Sequence, residues 1–351
     1  MSRMSLREVL EPLARWSREG KSTGVATLVR ARRSAPRPPG ARFAVNDAGE
    51  IAGSVSSGCI EGDLFEHLQQ ILQGGEARLL TYGITDEMAA DVGLACGGEI
   101  EVFAEPYLPD DPAWPALTDS VERGTPATFV TGISGAVSGR RLLAAEGKAP
   151  VGTLGSGELD RKAVEGAASI LDTGATRVIE LDTGAGEGAI FAEPILPPPR
   201  MAIVGASPIA AALCHLASFA GFEVSVVDPR PAFLSPDKFP DAARLVGRWP
   251  DEGLAEVGLD RYVSVVVLAH DRKLDVPALE AALRGGCRYV GQIGGKRTQR
   301  LRREALAERG FDEKVIGRVR GPVGLDIGSE SPEEIALAIL AEVVAVQHGR
   351  A

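Results

Sequence analysis

The sequence predicts an α/β protein in which a C-terminal Rossmann-like parallel sheet, with helices on both faces, follows an N-terminal α+β domain containing a degenerate internal repeat. Three observations lead to this prediction. Strands and helices alternate after residue 200, two stretches before residue 197 share one order of segments, and Pro194-Ile-Leu-Pro-Pro-Pro199 separates the two regions. Consecutive prolines favour an extended spacer. The expected domains are therefore residues 1–196 and 200–351.

The repeat compares residues 24–109 with residues 125–197. Both stretches read strand, turn, strand, Gly/Ser loop, helix, strand, strand, and both end in FAEP-x-LP. The first copy has Cys59 in its Gly/Ser loop, where the second has Glu158, and it also has a segment, 84–98, that the second has largely lost. A structural repeat needs only its core, so we expect the chemistry in the first copy. Drift of a loop in the second copy is the alternative.

The C-terminal elements follow from apolar runs and from helix-capping signals. We expect strands at Met201–Val204, Glu223–Asp228, Tyr262–His270 and Tyr289–Ile293. We expect helices at Pro208–Ala220, Pro277–Arg284 and Thr298–Arg309, and a last helix that begins at Ser331 with a capping box completed by Glu334. Strands that alternate with helices predict a parallel sheet.

Composition excludes several classes of protein. A net charge of −10 argues against a general nucleic-acid binder, which needs a basic surface. The four cysteines are scattered without a C-x-x-C pair, which argues against a zinc site or an iron–sulfur cluster, so we expect no bound metal of these kinds. The N-terminus reads as an amphipathic helix without a signal-peptide core, and no apolar run is long enough to span a membrane. The expectation is a cytoplasmic protein with free thiols.

The Gly/Ser loop GSVSSGCIEGDL is the first candidate site. Backbone amides of such a loop can bind an anion where the helix begins, and serine hydroxyl groups add donors. Cys59 would lie near the helix start, which favours the thiolate, and Glu61 would cap the same turn. The alternative is a plain helix-start loop with a small buried cysteine. The loop residues expected to bind a cofactor are Gly53, Ser54, Ser56 and Gly58.

A second cysteine loop lies in Thr81–Pro106. Cys96 is followed by Gly97 and Gly98, which leave a thiol accessible and let a ligand approach closely. The alternative is a core cysteine beside a bulge. Because Cys59 and Cys96 belong to the same copy, we expect the two loops to converge.

Five arginines lie in RARRSAPRPPGAR, Arg30–Arg42. Guanidinium groups bind phosphate with two parallel hydrogen bonds, so this segment is a candidate phosphate site. Arg37, between two prolines, has the most restrained backbone and is our preferred residue. The alternative is a solvated loop.

The Rossmann-like turn begins at Gly205, and Asp228 ends the following strand, where an acid binds ribose in dinucleotide sites. Ser207 replaces the second glycine of that fingerprint, and Pro208 has no amide hydrogen. The turn therefore predicts the fold more strongly than it predicts NAD(P) binding, which stays an alternative.

Two further segments follow predicted strands. His270 lies at the carboxyl end of the most apolar strand, where open α/β sheets bind their ligands. Gly294 lies in GQIGGKRT, which departs from a phosphate-binding Walker loop but is a candidate for contact with an anion.

The motifs GSVSSGCIEGDL, YGITDEMAADVGLACGGEIEVFAEP, VVDPRP, LAHDRKLD and GPVGLDIGSESPEEIALAILAEVVA resemble those of the XdhC/CoxI family over nearly the whole chain. The family consists of accessory proteins of xanthine dehydrogenase and carbon monoxide dehydrogenase. The sequence departs from the family at Arg33 before SAPR, at Ser57 before Gly58-Cys59, and in the turn GASPIA where many members have GAGHVG. The last departure weakens the expectation of NAD.

The resemblance implies a maturation chaperone that transiently binds molybdenum cofactor (molybdopterin), supports its sulfuration and delivers it to the apo-enzyme of a molybdenum hydroxylase. Cys59, Cys96, Glu61 and His270 are the expected reactive residues. A cysteine desulfurase is a further candidate partner, and a homodimer is left open. Two alternatives remain, which are an NAD(P)-dependent oxidoreductase and a pure assembly scaffold. A xanthine dehydrogenase subunit with iron–sulfur clusters would need more cysteines than this chain has.

Overall fold

The structure is a computed structural model that describes residues 3–33, 35–83, 98–184 and 186–350. The chain divides into two compact units, unit 1 at Met1–Pro197 and unit 2 at Pro198–Ala351. Within the described residues, we find no helix with both the length and the apolar character needed to cross a bilayer.

Unit 1 begins with helix α1 (Arg3–Arg18), which packs on the first of two antiparallel sheets. That sheet has the strand order β3-β2-β1-β5-β4. Its elements are β1 (Thr23–Arg32), β2 (Arg42–Asn46), β3 (Ile51–Gly53), α2 (Glu61–Leu72), β4 (Arg78–Tyr82) and β5 (Glu99–Pro106). Helix α3 (Ala113–Arg123) leads into the second sheet.

The second sheet repeats the first, with the strand order β8-β7-β6-β10-β9. In each copy, one helix lies between the third and fourth strands along the chain. Its elements are β6 (Ala127–Ser134), a 3₁₀ turn (Gly135–Val137), β7 (Arg141–Ala145), β8 (Val151–Thr153), α4 (Gly157–Thr173), β9 (Arg177–Asp182) and β10 (Glu187–Ile195). The two sheets share a small apolar core in which Phe103 and Phe191, from the two FAEP motifs, are both fully buried.

The glutamates of the same motifs form buried ion pairs that cross between the copies. Arg42 of β2 pairs with Glu193 of β10, and Arg141 of β7 pairs with Glu105 of β5. All four side chains are at most 2% exposed. Because a buried charge without its partner is costly, each copy supplies the counter-charge that the other needs.

Unit 2 is a six-stranded parallel sheet of order β13-β12-β11-β14-β15-β16, which is the strand order of Rossmann folds. Its strands are β11 (Arg200–Val204), β12 (Glu223–Val227), β13 (Arg244–Val246), β14 (Val263–Val267), β15 (Tyr289–Gln292) and β16 (Val319–Arg320). Its helices are α5 (Pro208–Phe219), a 3₁₀ turn (Pro231–Phe233), α6 (Pro250–Val257), α7 (Arg272–Arg284), α8 (Lys296–Glu308), α9 (Glu313–Ile316) and α10 (Pro332–Gln347).

Alternate residues of β11 pack into two separate cores, because successive strand side chains point to opposite faces. Ile203 lies in the core with α5 and α10, whereas Val204 lies in the core with α6 and α7. The predicted fold class, a parallel sheet with helices on both faces beside an α+β region, is confirmed.

Two predicted boundaries in unit 2 were wrong. The run predicted as strand Tyr262–His270 forms a strand only over Val263–Val267. The helix predicted to begin at Pro277 begins at Arg272, because the Asp271 side chain accepts the Lys273 amide and caps it there. The capping box predicted at the last helix is confirmed, since Ser331 and Glu334 accept each other's amides.

Candidate functional site

The Gly/Ser loop between β3 and α2 is organised around the Glu61 carboxylate. That carboxylate accepts six hydrogen bonds, from the hydroxyl groups of Ser54 and Ser56 and from the amides of Val55, Ser56, Gly58 and Ile60. The Ser54 hydroxyl group donates to Glu61 at 2.5 Å. Burial alone would raise the pKa of Glu61, but these hydrogen bonds to its charged form outweigh burial and lower the pKa to about 2.

The other hydrogen bonds of the loop amides go to serine hydroxyl groups, and the Ile60 amide is shared between Glu61 and Ser56. Ser56 Oγ accepts the amides of Cys59 and Ile60 at 3.0 and 3.1 Å, and Ser54 Oγ accepts the Ser57 amide at 2.8 Å. The amides that the sequence suggested for an anion therefore already bind side chains of the loop. A phosphate that used them would have to displace Glu61.

Cys59 is exposed on this loop, two residues before α2 begins. Its neighbours Ser57 and Gly58 both have a left-handed backbone, with φ of 63° and 112°. A left-handed non-glycine residue is uncommon, and it persists here because the hydrogen bonds around Glu61 and Ser56 hold it. The loop therefore presents the Cys59 thiol from a fixed backbone.

The second cysteine loop falls mostly outside the described residues. Cys96 and Gly97 lie in the segment 84–97, and the expected convergence of the two loops lies outside the described residues with them. Gly98 is described, is buried and directly precedes β5.

The second copy has a simpler version of the same loop. Asp160 stands in place of Glu61 and accepts two hydrogen bonds, from Thr153 Oγ1 at 2.8 Å and from the Leu154 amide at 2.6 Å. Glu158, in place of Cys59, is exposed and pairs with Lys162 at 2.8 Å. The two loops thus differ in how firmly they are held as well as in the thiol.

Gly53 starts the loop in the first copy and has φ of 73°. A Cβ atom at this position would lie 2.3 Å from the Arg42 carbonyl oxygen, so β2 and β3 can approach only because no side chain is present. Gly152 in the second copy has the same contact with the Arg141 carbonyl oxygen.

Three of the five arginines in Arg30–Arg42 pair with carboxylates. Arg30 contacts Glu101 at 2.9 Å, Arg32 contacts Glu99 at 3.1 Å, and Arg42 is buried against Glu193. Arg37 is half-buried and has no carboxylate within ion-pair distance among the residues that the structure describes. Arg37 therefore keeps a guanidinium group that can bind an anion.

In unit 2, the turn after β11 has few amides left for a ligand. Ala206 donates its amide to Asp228 at 2.9 Å, and Ser207 donates its own to the Gly205 carbonyl oxygen at 3.1 Å. The Ser207 hydroxyl caps α5 by accepting the Ala210 amide, and Pro208 has no amide hydrogen. This geometry differs from a pyrophosphate-binding turn, whose amides point at the ligand.

Asp228 is fully buried at the end of β12 and is bound on both carboxylate oxygens. Its partners are the Ala206 amide and Arg230, whose Nε and Nη2 lie at 2.9 and 2.7 Å. Burial raises the pKa of Asp228, but the hydrogen bonds from Arg230 and the amides dominate, and the pKa is lowered. Asp228 therefore holds the Arg230 guanidinium group, which leaves little of its carboxylate for ribose.

His270 and Gly294 also lie at the carboxyl ends of strands. His270 follows β14, is exposed and has a left-handed backbone with φ of 57°. Gly294 follows β15 with φ of 124°, and a Cβ atom there would lie 2.9 Å from Arg302 Nη1. Arg302 is itself buried against Asp275. Gly294 thus permits close packing, whereas His270 faces a cavity.

That cavity measures about 600 Å³ and lies where β11 and β14 end. His270, Gly205 and Ser207 line it, as the sequence suggested for a ligand site at this edge. The side chains that the sequence analysis missed are Arg230, Phe233, Lys238 and Phe239. The signal was present in VVDPRP, where an arginine follows Asp228 by two residues.

Comparison with known proteins agrees with this architecture. The family described as XdhC and CoxI matches residues 16–83, and the XdhC Rossmann domain matches residues 201–343. Together the two models match more than half of the chain.

Curated relatives and a solved structure match over most of their length. A Bacillus subtilis protein, named as a probable xanthine dehydrogenase subunit, is 28% identical over 91% of this chain and 92% of its own. The molybdenum cofactor insertion chaperone PaoD from Escherichia coli is 26% identical over 93% of this chain and 84% of its own. The crystal structure of a xanthine dehydrogenase from Bacillus halodurans has a TM-score of 0.71 at 25% identity, over 100% of this chain and 97% of that one. The chain belongs to the XdhC and CoxI family.

Proposed function

We propose that this protein is a maturation chaperone that binds molybdenum cofactor and delivers it to the apo-enzyme of a molybdenum hydroxylase. Two relatives support the proposal, since one is named a molybdenum cofactor insertion chaperone and the other a probable xanthine dehydrogenase subunit. The cysteine content supports an accessory role, because four scattered cysteines cannot hold the iron–sulfur clusters of a hydroxylase subunit.

The structural observation that carries the proposal is the exposed Cys59 on a loop fixed by Glu61. A thiol is a soft ligand suited to a molybdenum–sulfur centre. Among the described residues, no three His, Cys, Asp or Glu side chains are grouped to hold a metal ion. A single thiol fits a cargo that brings its metal already coordinated by the pterin dithiolene.

The loop geometry supports a role for Cys59 in retention. Backbone amides of residues 55–60 donate seven hydrogen bonds to Glu61 and to serine hydroxyl groups. The backbone that bears the thiol is therefore already ordered. An ordered ligand loses less conformational entropy on binding than a mobile one. Arg37 is our proposed contact for the cofactor phosphate.

The test is the molybdenum and pterin content of protein purified anaerobically from a host that makes the cofactor. We expect cofactor in the wild type and loss of most of it in Cys59→Ala. Glu158→Ala is the matched control, because it removes the side chain at the same position of the second copy. Equal retention in wild type and Cys59→Ala would refute the role of Cys59, and absence from both would refute cofactor binding.

The proposal includes two further partners. A cysteine desulfurase would supply sulfur while the cofactor is held, and a second copy of the chain would form a homodimer. Co-purification with the desulfurase and light scattering of the purified protein test these two parts separately.

An NAD(P)-dependent oxidoreductase is the second candidate, because the cavity at His270 lies at the edge where Rossmann sheets bind nucleotides. The turn from Gly205 to Ala211 weighs against it, since most of its amides are used within the protein. A rise in melting temperature with NADP⁺, together with turnover of a hydroxylated substrate, would favour this candidate over the chaperone.

A further inference from the structure

The cavity of unit 2 has a size and a position typical of a small-molecule site. Its volume of about 600 Å³ falls within the usual range for ligand pockets, which is roughly 300–1,000 Å³. It lies between the turn after β11, the loop after β14 and the segment that follows β12. The carboxyl ends of parallel strands are where open α/β sheets bind ligands.

The charges around this cavity favour an anion. Arg230 and Lys238 are its charged lining residues in the described part of the chain, and no carboxylate lines it there. Asp228, the nearby acid, has both oxygens bound by Arg230 and by the Ala206 amide. Because Asp228 neutralises Arg230, Lys238 supplies the net positive charge of this edge, a local arrangement that the net charge of −10 does not explain.

The apolar walls favour a flat ring system. Phe239 and Leu268 are buried at the wall, and Phe233 is 42% exposed. The Arg230 guanidinium carbon lies 4.3 Å from the Phe233 ring centroid, and Lys238 Nζ lies 5.6 Å from it. Both cations lie over this partly exposed ring, so Phe233 and the Arg230 guanidinium group together offer a flat surface next to an anion site.

The turn after β11 argues that the anion is held by side chains. Ala206, Ser207, Ala210 and Ala211 donate their amides within the protein, and Pro208 has none. The position that binds a dinucleotide pyrophosphate is therefore poor in donors. A single phosphate near Arg230 and Lys238 satisfies the cations without needing that turn.

His270 provides an independent sign that this edge is specialised. Its φ of 57° is unusual for a residue other than glycine, and such conformations cluster at functional sites. Its side chain lines the cavity, where an imidazole can accept or donate a hydrogen bond to a ring nitrogen or a phosphate oxygen.

We propose that this cavity binds a planar nitrogen heterocycle that carries one phosphate monoester, with the ring against Phe233 and the phosphate at Lys238 and Arg230. Two sources have this chemistry, a nucleoside monophosphate and a pterin monophosphate. The pterin source rests on the proposed chaperone function, whereas the nucleotide source does not.

The experiment is calorimetric titration of the full chain with adenosine monophosphate, neopterin monophosphate, their phosphate-free parents and inorganic phosphate. We expect one monophosphate per chain at the cavity, with the parent compound and phosphate alone each bound at least about tenfold more weakly, because each lacks one half of the contacts. Binding of either monophosphate supports the inference and identifies the source. Parents that bind as tightly as the monophosphates, or no binding of either monophosphate, overturn it.

Variants locate the site. Lys238→Ala removes an exposed cation and should weaken binding of the monophosphate about tenfold while leaving the parent unchanged. Lys314→Ala removes an exposed lysine of α9 that does not line the cavity, so it is the matched control and should change the affinity for neither compound. Phe233→Ala should weaken binding of the monophosphate and of the parent alike.

Arg230→Ala is a poor test, because it leaves buried Asp228 without its counter-charge. Equal affinities for Lys238→Ala and Lys314→Ala would overturn the inference without affecting the test of Cys59.

Discussion

Replacing Glu61 by glutamine tests whether this carboxylate organises the loop that bears Cys59. Six donors converge on Glu61, four of them backbone amides. An amide side chain of the same size keeps one acceptor oxygen, turns an NH₂ group towards the other donors and loses the charge. We therefore expect Glu61→Gln to destabilise unit 1 and to loosen the loop before the rest of the unit.

The lowered pKa of Glu61 gives the expected size of the destabilisation. A shift from the ordinary value of 4.5 to about 2 corresponds to about 3 kcal/mol at full strength. Because the carboxylate is partly exposed, screening by solvent reduces this contribution to about 1–2 kcal/mol. A lowered pKa stabilises the folded state at pH values above 4.5, and that stabilisation is lost as pH falls towards 2. The difference between wild type and Glu61→Gln should therefore be largest near neutral pH and should shrink in acid.

The assay is the urea midpoint of wild type and variant at neutral and acidic pH, with hydrogen exchange of the amides of residues 55–60 as the local readout. Asp160→Asn is the matched control, because Asp160 holds the equivalent loop with only two hydrogen bonds. We expect Asp160→Asn to lower the free energy of unfolding less than Glu61→Gln does, and to leave hydrogen exchange of the amides of residues 55–60 unchanged. Equal costs for the two variants, or a cost for Glu61→Gln that does not depend on pH, would refute the reasoning.

Three further outcomes are expected. Gly53→Ala should destabilise the fold by about 3 kcal/mol, because its Cβ atom would meet a carbonyl oxygen, whereas Gly58→Ala, with open space around it, should cost about 1–2 kcal/mol through its positive φ alone. Thermal melting compares the two variants. Glu193→Leu alone should lower the free energy of unfolding by about 3–5 kcal/mol, because it leaves Arg42 buried and unpaired. Adding Arg42→Met should recover most of that loss, as the urea midpoint would show. A double variant whose loss equals the sum of the two single losses would contradict this. Iodoacetamide should alkylate Cys59 in the native protein. Burial raises the thiol pKa of Cys214 and Cys287 to about 11, so these two cysteines should react only after denaturation. Peptide mass spectrometry would distinguish the sites.

The periodicity of unit 2 predicted its class because buried parallel strands read as continuous apolar runs. The run YVSVVVLAH was read as too long a strand, since a local event, the capping of α7 by Asp271, decides where the chain leaves the sheet. Strands β13 and β16 and helices α6 and α9 were not predicted. Each is short, and tertiary contacts rather than periodicity define such elements.

For the candidate site, the sequence identified Glu61 and Asp228 as polar residues near ligands but could not show what they contact. Glu61 accepts hydrogen bonds from its own loop, whereas Asp228 accepts them from Arg230 and from the Ala206 amide in the turn after β11. The repeated FAEP motif contained a further signal, because its glutamates are the buried partners of Arg42 and Arg141. Sequence alone could not reveal that each glutamate pairs with the arginine of the other copy. The roles of Cys59, Cys96 and His270 stay predictions.

The two buried ion pairs between the copies of unit 1 limit how the chain can be divided and which of its residues can be replaced. Separating the copies would leave Arg42 and Arg141 without the carboxylates that they pair with, so neither copy is expected to be stable as a separate module. The second copy has no thiol at Glu158, yet the first copy still needs it, because Glu193 supplies the carboxylate that pairs with Arg42. Two sheets of the same strand order therefore depend on each other within one polypeptide.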